Sequence, residues 1–538
     1  MAVDNIFKRV WKAITITSEA PMMKPQARLN EGTGHYTLIG GINFTGEKNI
    51  GELGPVKNYV LSYAVLRARS WQMYLESEIV QTIIRKFTTW VVGVGLKLQA
   101  EPVADVIKDE SGKTIDPQEF SKKVEQRWSL YANSKHASHD KQKTLNQIAK
   151  QAVKNALVAG DCLVIIRLED NYCPTIQLVD ADNIVSPLHG TESFPAELKN
   201  GHNIVNGIEL NEKREHVAYY VRRDGLAFRT DRVPAKGGES GLTIAFMLYG
   251  DQYKIDNYRG MPLLSSVFET SKKLERYKEA TVGGAEERAK IAIAIEHESY
   301  STGENPFARE TAIARNTAED ANRMPEDDNG VQLQNRVIAT TNKESVNLPP
   351  GAKLHAMESK QELYFKDFYT VNSDSISSSV EMPPNVAMSK YDQNFSASRA
   401  ALKDWENTLR VRRADIGIDF YQPIYIFWLE VQVLLNKIQA PGYIKGRLDE
   451  NWMLLEAYRK TRYVGTPVPH IDPVKEVEAE RKKLGIAADH IPLTTVEAAT
   501  EAISGGDSDS NMEQFELEIK KAEAYKPEVP QSKPGKPA

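Results

Sequence analysis

Cysteine is nearly absent. The 538 residues include two, Cys162 and Cys173, too few for a disulfide framework in so long a chain. Both read as reduced, half-buried thiols of a cytosolic protein. Long apolar runs are also missing. The most hydrophobic stretch, Ile424 to Leu435, is broken by Glu430 and Gln432 and is too short to cross a bilayer. Met1 to Val10 carries Asp4, Lys8 and Arg9 and has no apolar core of a secretion signal. These absences predict a soluble protein made in the cytoplasm, without membrane contact. Nor is there an excess of positive charge. Lys and Arg number 68 against 73 Asp and Glu, a net charge of −5. A surface that grips nucleic acid is usually basic. Tight DNA binding over most of the surface is therefore disfavoured, whereas a wall that must not grip remains possible.

The signatures of catalysis are missing too. Gly112-Lys113-Thr114 resembles the end of a phosphate-binding loop, but the glycine needed five residues earlier is Ile107. Asp109 and Glu110 beside it would repel phosphate. Gly93 and Gly95 lack a third glycine and follow a helical pattern, so they form no dinucleotide fingerprint. His136, His139 and Asp140 lie close together without a fourth metal ligand at standard spacing, and read as a solvated loop. No Gly-x-Ser-x-Gly elbow occurs, and paired carboxylates such as Asp327-Asp328 sit in polar segments that would not perturb them. No enzyme activity and no cofactor are expected.

What is present is periodicity. Apolar residues make up 41% and charged residues 26%, a globular balance in a chain long enough for two to four subdomains. Leu75, Ile79, Ile83, Phe87 and Val91 recur every four residues, one face of a helix that Gly93 and Gly95 end. Leu96 to Ala100 alternates as a strand. Phe120 to Tyr131 and Leu145 to Ala159 read as helices, the latter stopped by Gly160. Cys162 to Leu168, Thr175 to Val179, Ile208 to Leu210 and Val217 to Val221 read as strands of a β-rich block. Pro262 opens a long helix, and Glu362 to Val380 forms another that Pro383-Pro384 stops. Between them, Ser299 to Asn329 is polar without a stripe, and Val331 to Val337 with Ser345 to Leu348 suggests a small β unit. The longest helical pattern runs from Ala397 to Ile438, with Trp405 and Trp428 on its apolar stripe. It would span roughly 60 Å at about 1.5 Å per residue, and Pro423 must kink it or start a second piece. A charged helix follows Pro473, Gly505-Gly506-Asp507 breaks a further weak one, and the proline-rich end reads as disordered. The fold class is α+β, predominantly α.

Several of these segments resemble, in order, the lambda-type portal proteins of tailed phages. Leu66-Arg67-Ala68-Arg69-Ser70 and Val91-Val92-Gly93-Val94-Gly95-Leu96 are similar to that family's amino-terminal signature. Tyr258-Arg259-Gly260-Met261-Pro262 resembles its Arg-Gly-hydrophobic-Pro element, and Leu348-Pro349-Pro350-Gly351 its Leu-x-Pro-Gly step. The block from Tyr391 to Leu402 is similar to the family's most specific segment, with Phe395 and Ala397 in place of the usual Tyr and Ser. Asp472-Pro473-Val474-Lys475-Glu476 resembles its Asp-Pro-x-Lys-Glu element.

The resemblance implies a dodecameric ring with wing, stem, clip and crown around a central channel. It sits at one capsid vertex of the virion and serves DNA packaging and ejection. The implied partners are double-stranded DNA passing without sequence specificity, the terminase large subunit, the major capsid protein and scaffold, and then a head–tail adaptor. The implied divisions are an arm at 1–58, wing 59–259, first stem helix 260–297, clip 298–357 and second stem helix 358–381. A tunnel loop follows at 382–396, then a long wing helix 397–440, crown 441–510 and flexible tail 511–538. Asn385, Ser389, Lys390, Gln393, Asn394 and Arg399 become the candidates for facing DNA. Lys390 is the one basic side chain of the loop before Arg399, so a ring would turn it into a belt of positive charge. Other readings of the residues are a different minor capsid or connector protein and, less in keeping with the missing motifs, a DNA-processing enzyme.

Overall fold

The computed structural model describes residues 63–107, 116–187, 201–223, 229–238, 240–252, 255, 258–290, 294–297, 338–340, 343–345, 352–355, 365–390, 395–468, 473–484 and 492–524. It is a mixed helix-and-sheet protein, mostly helical, in two units. One comprises Met1–Phe268 with Asp374–Ala538, and the other Glu269–Ser373.

The first unit opens with α1 (Tyr63–Glu76) and α2 (Glu78–Val91). The apolar stripe expected from Leu75 onward starts later. Leu75 is 70% exposed, because Ser77 adopts extended backbone between the helices and the rotation of α1 no longer follows that of α2. From Ile79 the stripe holds. Ile79, Val80, Ile83, Ile84, Phe87 and Val91 are all buried, each worth up to about 1.5–3 kcal/mol. Gly93, with φ +59°, ends the helix, and β1 (Lys97–Ala100) follows. Asp116 caps α3 (Pro117–Ala132) by accepting from the Gln118 amide. Thr144 and Gln147 form a capping box on α4 (Leu145–Ala159).

β2 (Asp161–Leu168) is central. It pairs antiparallel with β3 (Pro174–Asp180) on one side and β8 (Ala245–Tyr249) on the other. A second antiparallel sheet runs in the order β4 (Asn203–Val205), β5 (Ile208–Leu210), β6 (His216–Arg222) and β7 (Thr230–Pro234). Leu163, Ile165, Ile184, Ile208, Tyr219 and Met247 fill the core shared by the two sheets, the β-rich block expected of this stretch. Cys162 is buried and Cys173 partly so, both free thiols.

Still in the first unit, Pro262 precedes a short 3-10 turn, Leu263–Val267, and α5 (Phe268–Lys290) then carries the chain into the second unit. The first stem helix was expected to reach residue 297. Instead α5 stops at Lys290, and β9 (Ala294–His297) pairs with β12 (Ala352–His355). β10 (Ile338–Thr340) and β11 (Lys343–Ser345) form a hairpin. It lies slightly inside the expected β unit, whose 331–337 part falls outside the described residues, as does 299–329. The chain leaves through α6 (Phe365–Ser379). The rings of Tyr277 on α5 and Phe368 on α6 have centroids 4.2 Å apart.

Back in the first unit, α7 (Pro384–Met388) precedes α8 (Phe395–Ile416). A π turn, Gly417–Tyr421, separates α8 from α9 (Gln422–Leu434). The helical backbone runs unbroken from Phe395 to Leu434, and of the two outcomes expected at Pro423 it shows a distortion within one helix: the π turn, in which the Gln422 amide reaches the Gly417 carbonyl, directly precedes the proline. A Cβ at Gly417 would lie 2.8 Å from the Tyr463 ring, so glycine lets the π turn pass that side chain. Trp405 and Trp428 are buried while Trp452 is 69% exposed. Trp128, Tyr131, Tyr425 and Trp428 form an aromatic cluster. The chain continues through α10 (Tyr443–Leu448), α11 (Trp452–Arg459) and β13 (Thr461–Val464), which pairs with β1. Then come α12 (Pro473–Lys483), α13 (Val496–Ser504) and α14 (Ser508–Ala524). Part of the expected tail from residue 511 is helical: an Asx turn at Asp507 starts α14 and a Gln514–Glu518 bond one turn apart supports it. Residues 1–62 and 525–538 lie outside the described set.

Candidate DNA-facing segment and its scaffold

Two of the motifs that carry the resemblance meet in space. Arg67 of α1 and Arg259, just before Gly260, both reach Asp161 at the start of β2. Arg259 binds the carboxylate in a fork, Nε to Oδ2 at 2.6 Å and Nη2 to Oδ1 at 2.9 Å. Its remaining donors go to the carbonyls of Ala181, Ile184 and Asn206. Arg67 Nη2 lies 3.3 Å from the same carboxylate, and its Nε and Nη1 donate to the carbonyls of Ala159 and Ala181. The Gly260 amide adds a further bond to Asp161 at 2.9 Å. All three side chains are at most 3% exposed. Burial alone would raise the Asp161 carboxyl. The two arginines and the Gly260 amide outweigh it and hold the group below its ordinary range. Burial pulls Arg67 down to about 10, against the pull of Asp161. Arg259 moves upward, because its fork on Asp161 outweighs its burial.

The glycines make this approach possible. Gly160 has φ +96°, and a Cβ on Gly260 would sit 1.9 Å from the Gly160 carbonyl oxygen. Ser70 of the first motif also donates to the Val158 carbonyl. Amino-terminal helix, central strand and the entrance to α5 are thus fixed at one buried point.

The candidate residues lie at a different place, beside α2. Lys86 of α2 donates through Nζ to the carbonyls of Val386 at 2.7 Å and Ala387 at 2.8 Å and to Ser389 Oγ at 2.5 Å. A cation there satisfies carbonyls at a helix C-terminus, where the helix dipole is negative. Burial lowers the Lys86 ammonium from its ordinary value. Ser389 leaves α7 in the left-handed region at φ +53°, and the Lys390 amide returns to the Asn385 carbonyl at 3.1 Å. Asn385, Ser389 and Lys390 therefore share one anchored turn, with Ser389 and Lys390 exposed.

Within the tunnel loop expected at 382–396, Pro384–Met388 is helical. Met382, Val386 and Ala387 are buried, because Pro383-Pro384 sets up a helical turn whose apolar side packs inward. Arg399 stands apart on α8, exposed, with Nη2 3.9 Å from Glu476. Gln393 and Asn394 lie outside the described residues. Across from this segment, Trp405 of α8 meets Phe87 of α2 edge-on, centroids 5.9 Å apart. Arg413 of α8 donates to the Trp90 carbonyl at 2.8 Å and the Val91 carbonyl at 3.3 Å, closing the end of α2. Lys86, Arg413 and Asp161 were not singled out from sequence. A lysine on the polar side of an amphipathic helix, or an aspartate after a helix-ending glycine, carries no local sign of a partner distant in sequence.

Among the described residues no group of three His, Cys, Asp or Glu side chains is placed to hold a metal. Asp140 accepts from the Ser138 hydroxyl and the Gln142 amide, a polar turn as expected. No helix of the described residues is long and apolar enough to cross a membrane.

The family model of the phage portal protein, lambda family, matches residues 49–413, more than half of the chain. The chain belongs to the lambda family of phage portal proteins. No curated relative matches it. Among solved structures, this portal protein is similar to a chain of the virion of a native gene transfer agent particle, at 10% identity over 82% of this chain and 92% of that one, TM-score 0.41. The neck of an empty gene transfer agent particle gives 10% identity over 81% and 93%, TM-score 0.40. An HK97 family phage portal protein from Corynebacterium diphtheriae gives 11% over 66% and 91%, TM-score 0.31. Membership rests on the family match. It makes the protein a phage structural component, a head–tail connector.

Proposed function

We propose that the portal protein closes into a dodecameric ring at a single capsid vertex, through which double-stranded DNA is packaged and later ejected. The observation that carries this reading is the family match over residues 49–413. It spans the Asp161 junction, all of the second unit and the anchored Asn385–Lys390 turn. In the ring each subunit presents different faces to its two neighbours, and the rotation must close. The unit Glu269–Ser373, entered and left on helices with strands between, suits the stem and clip, where the terminase large subunit docks first and the head–tail adaptor later. The β-rich block suits the wing, with the major capsid protein and scaffold as neighbours.

Exposed Lys390 supplies one positive charge per subunit on a turn that Lys86 anchors to α2. Repeated around a ring, it would attract phosphate without reading sequence. That attraction is screened and spread over a moving backbone, so it guides DNA and does not hold it. The chain performs no covalent chemistry in this scheme, and the motor that supplies energy is a separate protein.

The test is a Lys390→Glu virus together with gold labelling of particles. The expected result is label at one vertex only, normal particle assembly and a reduced amount of packaged DNA. Label on every facet would overturn the portal reading. Undiminished packaging with single-vertex label would overturn only the role of Lys390.

A further inference from the structure

Residues 492–524 lie beyond the matched span, and charged side chains are prominent among the described contacts between their helices and the rest of the first unit. In α13 only Ala499 is buried, and every residue from 509 to 522 of α14 is exposed. Arg462 makes three charged contacts here, beside the burial of Gly505 against Pro467 and Gly465 and the Leu493 amide's bond to the Lys483 carbonyl at 2.8 Å. Arg462 of β13 directs Nη2 to Glu497 at 2.7 Å and Nη1 to Glu501 at 2.5 Å, one turn apart on α13. Its Nε lies 2.9 Å from Glu101, just after β1, as an ion pair and not a hydrogen bond. Lys460 also faces Glu101 at 3.6 Å. Lys122 of α3 meets Glu513 of α14 at 2.5 Å, both more than half exposed.

Opposing charge sits close by. Glu125 of α3 accepts from the Ala100 amide of β1 at 2.8 Å. It feels Glu497 of α13 and, at the α13–α14 junction, Asp507 and Asp509, all of its own sign. The Tyr425 hydroxyl of α9 is its further titratable neighbour. Burial first, and these carboxylates next, push Glu125 up to about 7, against the Ala100 bond.

We propose that α13 and α14 form a detachable arm, latched to the β1–β13 ribbon by Arg462 and loosened by the carboxylates gathered around Glu125. Exposed ion pairs are individually weak, and salt screens them within a few ångströms at high concentration. Helices this short need tertiary support to persist in water, so release and unwinding go together. The pH sign follows from Glu125. Its value in the docked state lies above its ordinary 4.5, so docking favours the protonated carboxyl. The hold of the arm therefore weakens as pH rises toward and through about 7. Glu497, Asp507 and Asp509 depart with the arm, so only their share of the shift is linked to release. The share due to burial against β1 stays.

Hydrogen exchange on the assembled full chain tests this. Amides of 496–504 should lose protection on the order of tenfold between about 0.05 M and about 1 M salt. The same loss is expected in Arg462→Ala at low salt, with β2 amides unchanged. Equal α13 protection in all three conditions would show an arm held by packing and would overturn the proposal. If Arg462→Ala also loosens β2, the double variant Glu497→Gln, Glu501→Gln decides in its place, since it leaves Arg462 paired with Glu101. From about pH 6 to about pH 8, exchange corrected for intrinsic amide chemistry should rise in the unmodified protein and stay flat in Glu125→Gln. Parallel slopes would remove Glu125 from the device.

Discussion

Asp161 and Arg462 each sit at the centre of an arginine–carboxylate network in the same unit, and water separates their behaviour. At Asp161 two guanidiniums and a carboxylate are enclosed, and the donors of Arg259 are all spent on the carboxylate or on carbonyls. Such a cluster adds little stability over a well-packed apolar one, but losing one member leaves charge stranded in a medium that cannot solvate it. It acts as a registration point, binding α1, β2 and the Arg259–Gly260 segment of the first unit in one geometry. At Arg462 the same groups are about one third exposed or more on most partners. Water takes over whenever a pair opens, and the contact can be made and broken. Chemically similar pairs thus fix one part of the portal subunit and leave another releasable.

The largest effect should come from Asp161→Asn. Two buried arginines then lose their counter-charge, at a cost of about 3–5 kcal/mol in denaturant-measured stability. A loss under about 1 kcal/mol would mean that water already reaches the cluster, and the contrast with Arg462 would fail. Gly260→Ala should follow, at about 1–3 kcal/mol or more, because its Cβ meets the Gly160 carbonyl. Acid sharpens the same contrast. The Asp161 carboxyl is depressed below its ordinary 3.8, so its contribution is present above that value and lost as pH falls through the folded value. The acid limb of a stability–pH curve should be steep in the unmodified protein and flattened in Asp161→Asn. Lys86→Met should cost about 1–2 kcal/mol, confined to faster exchange at 384–390, since it strips donors from two carbonyls and a hydroxyl. Lys122→Ala should change global stability by less than about 0.5 kcal/mol.

Much of the fold was legible in the sequence because it follows local rules. The α2 stripe from Ile79, the helix at 145–159 with its Gly160 stop, and the strands read at 162–168 and 175–179 all come from periodicity and helix-ending glycine. Leu75 misled because Ser77 resets the helical phase without a proline or glycine to mark it. The helix at 508–524 was missed because it has no buried stripe; its support is charge and capping, which resemble a solvated tail in one dimension. Of the candidate site, the turn at Asn385–Lys390 could be located, but its buried side and its Lys86 anchor could not. The elements it joins lie some three hundred residues apart in sequence. Arg67 and Arg259 were visible as parts of motifs, but their convergence on Asp161 was not.

The central claim is that many copies of this chain close into a channel. Electron microscopy of the purified full chain at high concentration tests it most directly. Closed rings of uniform diameter with a central opening are expected in end-on views. Monomers and dimers alone, with no rings across salt and pH conditions in which the subunit remains folded, would contradict it.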